Sequence, residues 1–396
     1  MSSRTGSSLT RGSVLLMAIA CGLTVANLYY NQPMLDDIRR DFGLSASQVG
    51  LIPMLTQLGY AFGLLTLTPL GDRVDRRRLI LGMLAVLTLS LIGAALSPSL
   101  AALGAASFLA GVTSTVAQQI VPLAAQLAEP ARRGKTVGQV MSGLLIGILA
   151  ARTLSGVVAT AFGWRDMFWI AAAMMVVLAL ILARRLPHAP PTTDMSYRQL
   201  MVSLLHLARR HPALREASLV GGLLFASFSV FWSTLTLWLA SPAFGLGADV
   251  AGMFGLVGVV GALAAPVSGR LADHGGPRRV LGVGIAIVVA SFVTFGWFGA
   301  SLWGLAAGVI LLDLGVQGCQ IANQTRIYAL DHAAASRLNT VYMTSYFVLG
   351  ALGSALGSLA WSHFGWLGVS AAGLLLGLGA GLCHWAGRRH VVTATS

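Results

Sequence analysis

The sequence predicts an all-α integral membrane protein: twelve transmembrane helices forming two six-helix bundles related by pseudo-two-fold symmetry, with both termini cytoplasmic. Three observations predict it. Of 396 residues, 56% are hydrophobic and only 10% charged, with a mean hydropathy of +0.77, whereas soluble domains are nearer a quarter charged. Twelve apolar runs are each long enough to cross ~30 Å of hydrocarbon as a helix. The basic residues also fall almost wholly on one side of those runs. The formal charge of +13 would suggest a nucleic-acid binder in a soluble chain, and this distribution excludes that reading.

The runs lie at 13–35, 48–69, 79–97, 100–122, 137–160, 166–183, 217–240, 250–271, 278–298, 300–323, 338–361 and 366–386. The first is too long for a signal-peptide core and carries Asn27-Leu28-Tyr29-Tyr30-Asn31-Gln32-Pro33 in place of a small-residue cleavage site, so no cleavable leader is expected. With the N-terminus inside, 22 of the 26 bases fall on the inner side. Three (Arg39, Arg40 and Arg165) fall outside, and Arg152 falls within span 5. That asymmetry places both termini in the cytoplasm of a multi-pass protein of the cell inner membrane.

The longest polar stretch, 184–216, separates an N-terminal bundle (1–183) from a C-terminal one (217–396). It begins with the helix-poor His188-Ala189-Pro190-Pro191. It then spaces Tyr197, Leu200, Met201, Leu204, Leu205 and Leu207 among Arg, Gln and His, as an amphipathic helix on the inner membrane surface would. Cys21, Cys319 and Cys383 sit in apolar runs without paired spacing, so neither a disulfide framework nor a metal site is expected.

The halves repeat one another. Thr68-Pro69-Leu70-Gly71-Asp72-Arg73-Val74-Asp75-Arg76-Arg77-Arg78 joins spans 2 and 3, and Gly269-Arg270-Leu271-Ala272-Asp273-His274-Gly275-Gly276-Pro277-Arg278-Arg279 joins spans 8 and 9. Asp72 and Asp273 are 201 residues apart, and Gly163-Trp164-Arg165 and Gly365-Trp366-Leu367 are 202 apart. The loop at 269–279 resembles the signature loop of the major facilitator superfamily, and the resemblance covers essentially the whole chain. Pro130-Ala131-Arg132-Arg133-Gly134 and the glycines of span 5 resemble its twelve-span drug:proton antiporter branch. The resemblance implies that Asp72, Arg73 and Arg76, with Asp273 and Arg278, form gating loops that latch the bundles on the inner side. Physically, a carboxylate such as Asp72 can face the positive end of a neighbouring helix. Plain positive-inside anchoring accounts equally for Arg76, Arg77 and Arg78.

Two charges fall inside the slab. Asp313 lies about 20 Å in from the outer end of span 10 at 1.5 Å per residue. An ionised carboxylate there costs several kcal/mol unless paired. It therefore serves either as a proton-coupling group or as a hydrogen-bonded lock between helices. Arg152, about 22 Å from the inner end of span 5, either snorkels outward, pairs with Asp313 or meets an anionic group of the substrate. Span 5 resembles the family's antiporter motif, Gly-x8-Gly-x3-Gly-Pro-x-x-Gly-Gly. Here Gly138, Gly147 and Gly156 keep their places, Ala151 and Ser155 replace glycines, and Arg152 replaces the proline. Small residues there permit close helix approach. The family's usual Arg of span 4 is replaced by Ser107 when aligned on Gly111, so proton coupling is expected to use Asp313, with Arg152 as the substitute base.

Uncharged amides in a lipid span are unfavourable facing lipid, so they are expected to face a central path. The substrate-binding candidates are Asn27, Tyr30 and Asn31 (with Gln32 beside them), Gln57, Gln118, Gln119, Trp232, Gln317 and Tyr346. With no acid in spans 1–6 apart from Asp166 at the outer edge of span 6, a neutral, zwitterionic or weakly anionic solute fits better than an organic cation. The expected function is proton-coupled export of a small organic solute or drug by rocker-switch alternating access. Uptake by proton symport or uniport is the alternative, and an intramembrane enzyme or sensor is the alternative of another class. Against an enzyme, none of the eight His is placed with Cys or Asp at ligand spacing. The absence of GxxxxGK[ST] argues against direct use of ATP. The expected partners are lipid, a small-molecule substrate and protons, with no cofactor, no nucleic acid and a monomeric chain.

Overall fold

The computed structural model describes residues 10–129, 132–191, 193, 195–262, 276–331 and 334–392, and no strand occurs among them. The first half comprises α1 (Arg11–Ala26), α2 (Leu35–Asp41), α3 (Ala46–Val49), α4 (Leu51–Leu70), α5 (Arg76–Ala95), α6 (Leu100–Thr113), α7 (Ala117–Leu127), α8 (Arg133–Phe162) and α9 (Trp164–Arg185). After α10 (Tyr197–Arg210), the second half comprises α11 (Pro212–Trp232), α12 (Leu235–Leu239), α13 (Ala248–Ala262), α14 (Pro277–Phe298), α15 (Leu302–Tyr328) and α16 (Ala335–Val392). α16 is two helices joined across the non-helical Gly365. Among the described residues, nine helices are long and apolar enough to cross a membrane, with Arg11–Ala26 and Ala248–Gly258 as shorter apolar helices.

Three spans differ from the continuous helices expected. Span 1 leaves the α-helix after Ala26. Leu28 and Tyr29 then bond three residues back, to Val25 and Ala26, and Pro33 has no N–H to continue a helical ladder. Span 4 tightens into a 3₁₀ turn at Ser114–Val116, where the Ser114 and Thr115 hydroxyls bond back to Ala110 and Val112 carbonyls and compete with the backbone. Span 7 breaks at Ser233-Thr234 in the same manner. The part of span 8 expected beyond residue 262 lies outside the described residues.

The repeat is visible in the backbone. Gly163 and Gly365 both adopt positive φ (104° and 58°) at matched outer turns, and Gly43 and Gly245 form a second pair 202 residues apart, each at φ 63°. Such angles are open to glycine at little cost. The halves meet along α4 and the first arm of α16: Gln57 Nε2 donates to Ser354 Oγ at 3.0 Å, and the Tyr60 and Phe347 rings lie 4.4 Å apart.

α10 is held by a capping box between Ser196 and Gln199 and buries Leu200, Leu204 and Leu207, while Val202 and Leu205 are exposed. It touches both halves, at the end of α4 and the start of α16. Tyr197 Oη donates to the Thr66 carbonyl of α4 at 3.1 Å, and Leu200 and Leu204 share a small cleft with Pro69, Asp72, Ser336 and Thr340.

Candidate functional site

The site is built on α8, whose small residues perform two separate packing tasks. Towards the inner end, a Cβ on Gly143 or Gly147 would come within 2.3 or 2.2 Å of the Ala18 or Gly22 carbonyl of α1. Towards the outer end, a Cβ on Gly156 would meet the Ala248 carbonyl of α13 at 2.4 Å, and one on Gly252 would meet the Arg152 carbonyl at 2.5 Å. Thr153 Oγ1 adds a hydrogen bond to the Gly252 carbonyl at 3.0 Å. Approaches this close to a neighbouring backbone require glycine at 143, 147, 156 and 252.

α8 thus clamps the Arg152 backbone against the second half and sends its side chain inward. The residue is 1% exposed, so it does not snorkel. Its Nε donates to Gln32 Oε1 at 2.8 Å. The guanidinium carbon stands 3.9 Å over the Trp232 ring, 4.8 Å over Tyr29 and 5.6 Å over Phe228. Aromatic faces attract a cation, which explains how the charge stays in the interior without reaching the lipid interface. Nη2 is buried without an acceptor, and so is the Trp232 Nε1 donor.

Asp313 sits opposite, on α15, 4% exposed, and its Oδ2 makes no hydrogen bond. The two charges act on one another through the low-dielectric interior, and Tyr29 lies in electrostatic range of both. They form no ion pair within 4.0 Å, so the direct Arg152–Asp313 contact offered by the sequence is absent. Gly258 of α13 faces the Asp313 carboxylate.

The remaining candidates divide by what holds them. Asn31 Nδ2 donates to Thr56 Oγ1 at 3.0 Å, while Asn27 Nδ2 turns back onto the Leu23 and Thr24 carbonyls. Both leave a buried Oδ1 without a partner. Tyr30 is buried. Gln57, beyond its bond to Ser354, accepts from Ser229 Oγ at 3.3 Å and ties α4 to α11 and α16. Gln118 Nε2 donates to Tyr60 Oη, and Gln119 Nε2 donates to the Leu67 carbonyl at the inner end of α4, so Gln119 braces the signature loop and does not reach the Arg152 cluster. Gln317 is half-buried. Tyr346 stacks on Phe225 at 4.1 Å and donates to Gln320 Oε1.

At the inner loop, Asp72 Oδ1 accepts from Arg76 Nη2, and Arg76 Nε donates to the Gly71 carbonyl. The loop also grips the linker, through Arg76 N–H to the Ala189 carbonyl and Thr193 N–H to the Asp72 carbonyl, while Arg77 donates to the Ala183 carbonyl at the end of α9. Arg73 is exposed. In the second half, Asp273 lies outside the described residues, and Arg278 donates to Glu216 Oε2 at 2.8 Å. The same oxygen accepts from Arg326 at 2.9 Å.

Sequence reasoning missed Tyr29, Gly258 and the Glu216–Arg326 pair. Tyr29 lies three residues before Gln32, a helical spacing that could have drawn it in. Glu216 and Arg326 were legible as opposite charges at the inner ends of two spans. Gly258 left no signal, because its role depends on a neighbour 55 positions along the chain.

The Major Facilitator Superfamily sequence profile matches residues 15–358. The chain belongs to the Major Facilitator Superfamily. It is 45% identical over 380 residues, 96% of each chain, to the uncharacterized transporter YgaY of Escherichia coli O157:H7. It is 37% identical over 366 residues to a probable transporter of Streptomyces coelicolor, covering 92% of this chain and 85% of the relative. Its fold matches the inward-facing, unoccupied crystal structure of a bacterial homologue of the human lysosomal transporter Spinster, with a TM-score of 0.76, 16% identity and 95% and 96% coverage. The protein is therefore a membrane transporter of this superfamily and not an enzyme.

Proposed function

We propose that the chain is a proton-coupled carrier that exports a small organic solute across the cell inner membrane by rocker-switch alternating access. Twelve spans form two bundles, 1–183 and 217–396, which turn about a site near the midplane, with both termini in the cytoplasm. The observation that carries this reading is the buried Asp313, whose Oδ2 has no hydrogen-bond partner, on the half opposite the one that carries Arg152. A carboxylate held dry without a hydrogen-bond donor is stable only if a proton or a cargo group can join it. Export is the direction implied by the resemblance of α8 to the antiporter motif.

Proton symport is the second reading, and the opposite signs of the two charges favour it. An anionic solute and an ionised Asp313 compete for one cation, so a proton on Asp313 favours solute binding, which is the linkage symport requires.

Proteoliposomes with a trapped pH dye, exposed to neutral, zwitterionic and monoanionic solutes, test both readings. At least one solute is expected to drive proton movement that Asp313→Asn abolishes. Movement against the solute supports export by antiport, and movement with it supports symport. Equal proton movement in wild type and Asp313→Asn sinks the coupling assignment. Labelling of a cysteine placed at Ser396 from outside intact cells would overturn the orientation.

A further inference from the structure

Arg152 has more hydrogen-bonding capacity than the protein satisfies. A buried guanidinium normally meets a carboxylate, because desolvating the charge costs several kcal/mol unless it is paired. Here one donor, Nε, is matched by the neutral Gln32 side chain, and Nη2 is buried without any acceptor. Three aromatic faces surround the cation, and they attract its charge but accept none of its N–H bonds in the usual sense. The Trp232 indole, whose ring lies closest beneath the guanidinium, leaves its own Nε1–H buried and unmatched. Two donors without acceptors therefore share one cluster with a positive charge.

We propose that this cluster is the binding site for the carboxylate of a small organic monoanion, with Arg152 Nη2 and Trp232 Nε1 donating to its oxygens. This rests on reading the cluster as the transport site. A carboxylate supplies several lone pairs and the missing negative charge together, and the planar guanidinium matches its geometry. A neutral amide brings one acceptor oxygen and no negative charge to match the cation. A second negative group on the solute is disfavoured, because the Asp313 carboxylate already stands across the site with an unmatched oxygen. The rings of Tyr29 and Phe228 near the guanidinium suit an apolar or aromatic body behind the carboxylate.

Calorimetric titration of the purified chain in nanodiscs tests this with acetate, pyruvate and benzoate, each against its amide. At least one acid is expected to bind saturably and its amide at least tenfold more weakly. Arg152→Gln should weaken the acid by about a hundredfold, Arg152→Lys by about tenfold, and Trp232→Phe, which keeps a ring face and removes Nε1–H, by about tenfold. Each variant is first checked for a monodisperse elution profile. If Arg152→Gln does not fold, the other two variants decide. The proposal is overturned if no acid binds wild type, if amides bind as well as acids, or if the folded variants bind the acid as wild type does. Proton-coupled flux of a neutral solute without acid binding would remove this site and leave the transport reading standing. Acid binding with flux indifferent to Asp313→Asn would do the reverse.

Discussion

Gly258 on α13 and Asp313 on α15 face one another so closely that a Cβ on the glycine would stand 3.1 Å from Asp313 Oδ2. At the matching stations of the first half, 202 residues earlier, stand Thr56 and Gly111, and the small residue is on the other helix. There a Cβ on Gly111 would strike the Thr56 carbonyl at 2.0 Å. One half uses its glycine to bring two backbones together, and the other uses it to make room for a charge.

Gly258→Ala tests that room. The added methyl group is tighter than ordinary contact, and the carboxylate must yield by a few tenths of an ångström. Proton-linked flux is expected to fall several-fold in proteoliposomes. The detergent melting temperature should move by only a few degrees, as an overpacking cost of about 1 kcal/mol would give. Unchanged flux would show that Asp313 has slack.

The motif glycines of α8 are expected to differ in sign. Gly147→Ala drives a methyl group into the Gly22 backbone, which cannot step aside, and should cost about 1–3 kcal/mol. Gly138 has nothing within 4 Å of an added Cβ, so Gly138→Ala should stabilise the helix by up to about 1 kcal/mol. Melting curves of the two variants side by side check the contrast.

Glu216 serves two arginines with one oxygen. Glu216→Gln leaves Arg278 and the largely buried Arg326 without their carboxylate, at a cost of about 3 kcal/mol. A clear fall in melting temperature is expected, and Arg326→Gln should lower it less because Arg278 keeps its partner. Equal loss in the two variants would count against the shared-oxygen account.

The outer loop carries a pH-dependent contact. The hydrogen bond from Arg165 holds the Asp41 carboxyl below the usual carboxylate range. A lowered folded-state value means that the contribution is complete above the unfolded value of about 3.9 and is lost as pH falls through the lower one. The melting difference between wild type and Asp41→Asn should therefore be constant from pH 7 to about 5 and shrink below pH 4. It should be small, since both side chains are more than a third exposed.

Much of this molecule was legible in the sequence because lipid imposes strong constraints on composition. The apolar runs follow from what hydrocarbon tolerates, the 202-residue repeat was open in the motifs, and the amphipathic helix at Tyr197–Arg210 followed from its spacing. The burial of Asp313 and Arg152 was equally readable, since each interrupts an apolar run. Their relation was not. Opposite charges in a slab suggest a pair, yet the aromatic rings of Tyr29, Phe228 and Trp232 hold the cation apart, and no periodicity marks which ring faces inward. Gln119 likewise looked like a cavity residue, whereas it donates to the Leu67 carbonyl near the end of α4, beside the loop that follows. Helix ends need acceptors and donors from outside themselves, and a sequence does not say which distant amide supplies them.

Placing Arg152 on one half and Asp313 on the other has an electrical consequence. A transmembrane voltage pulls on the two with equal and opposite force, up to about 2.3 kcal/mol per charge for 100 mV across the full field. When both are ionised, their displacement currents cancel only to the extent that the two travel equally in the same direction along the membrane normal. Voltage dependence beyond that remainder belongs to what is carried and counts its charge.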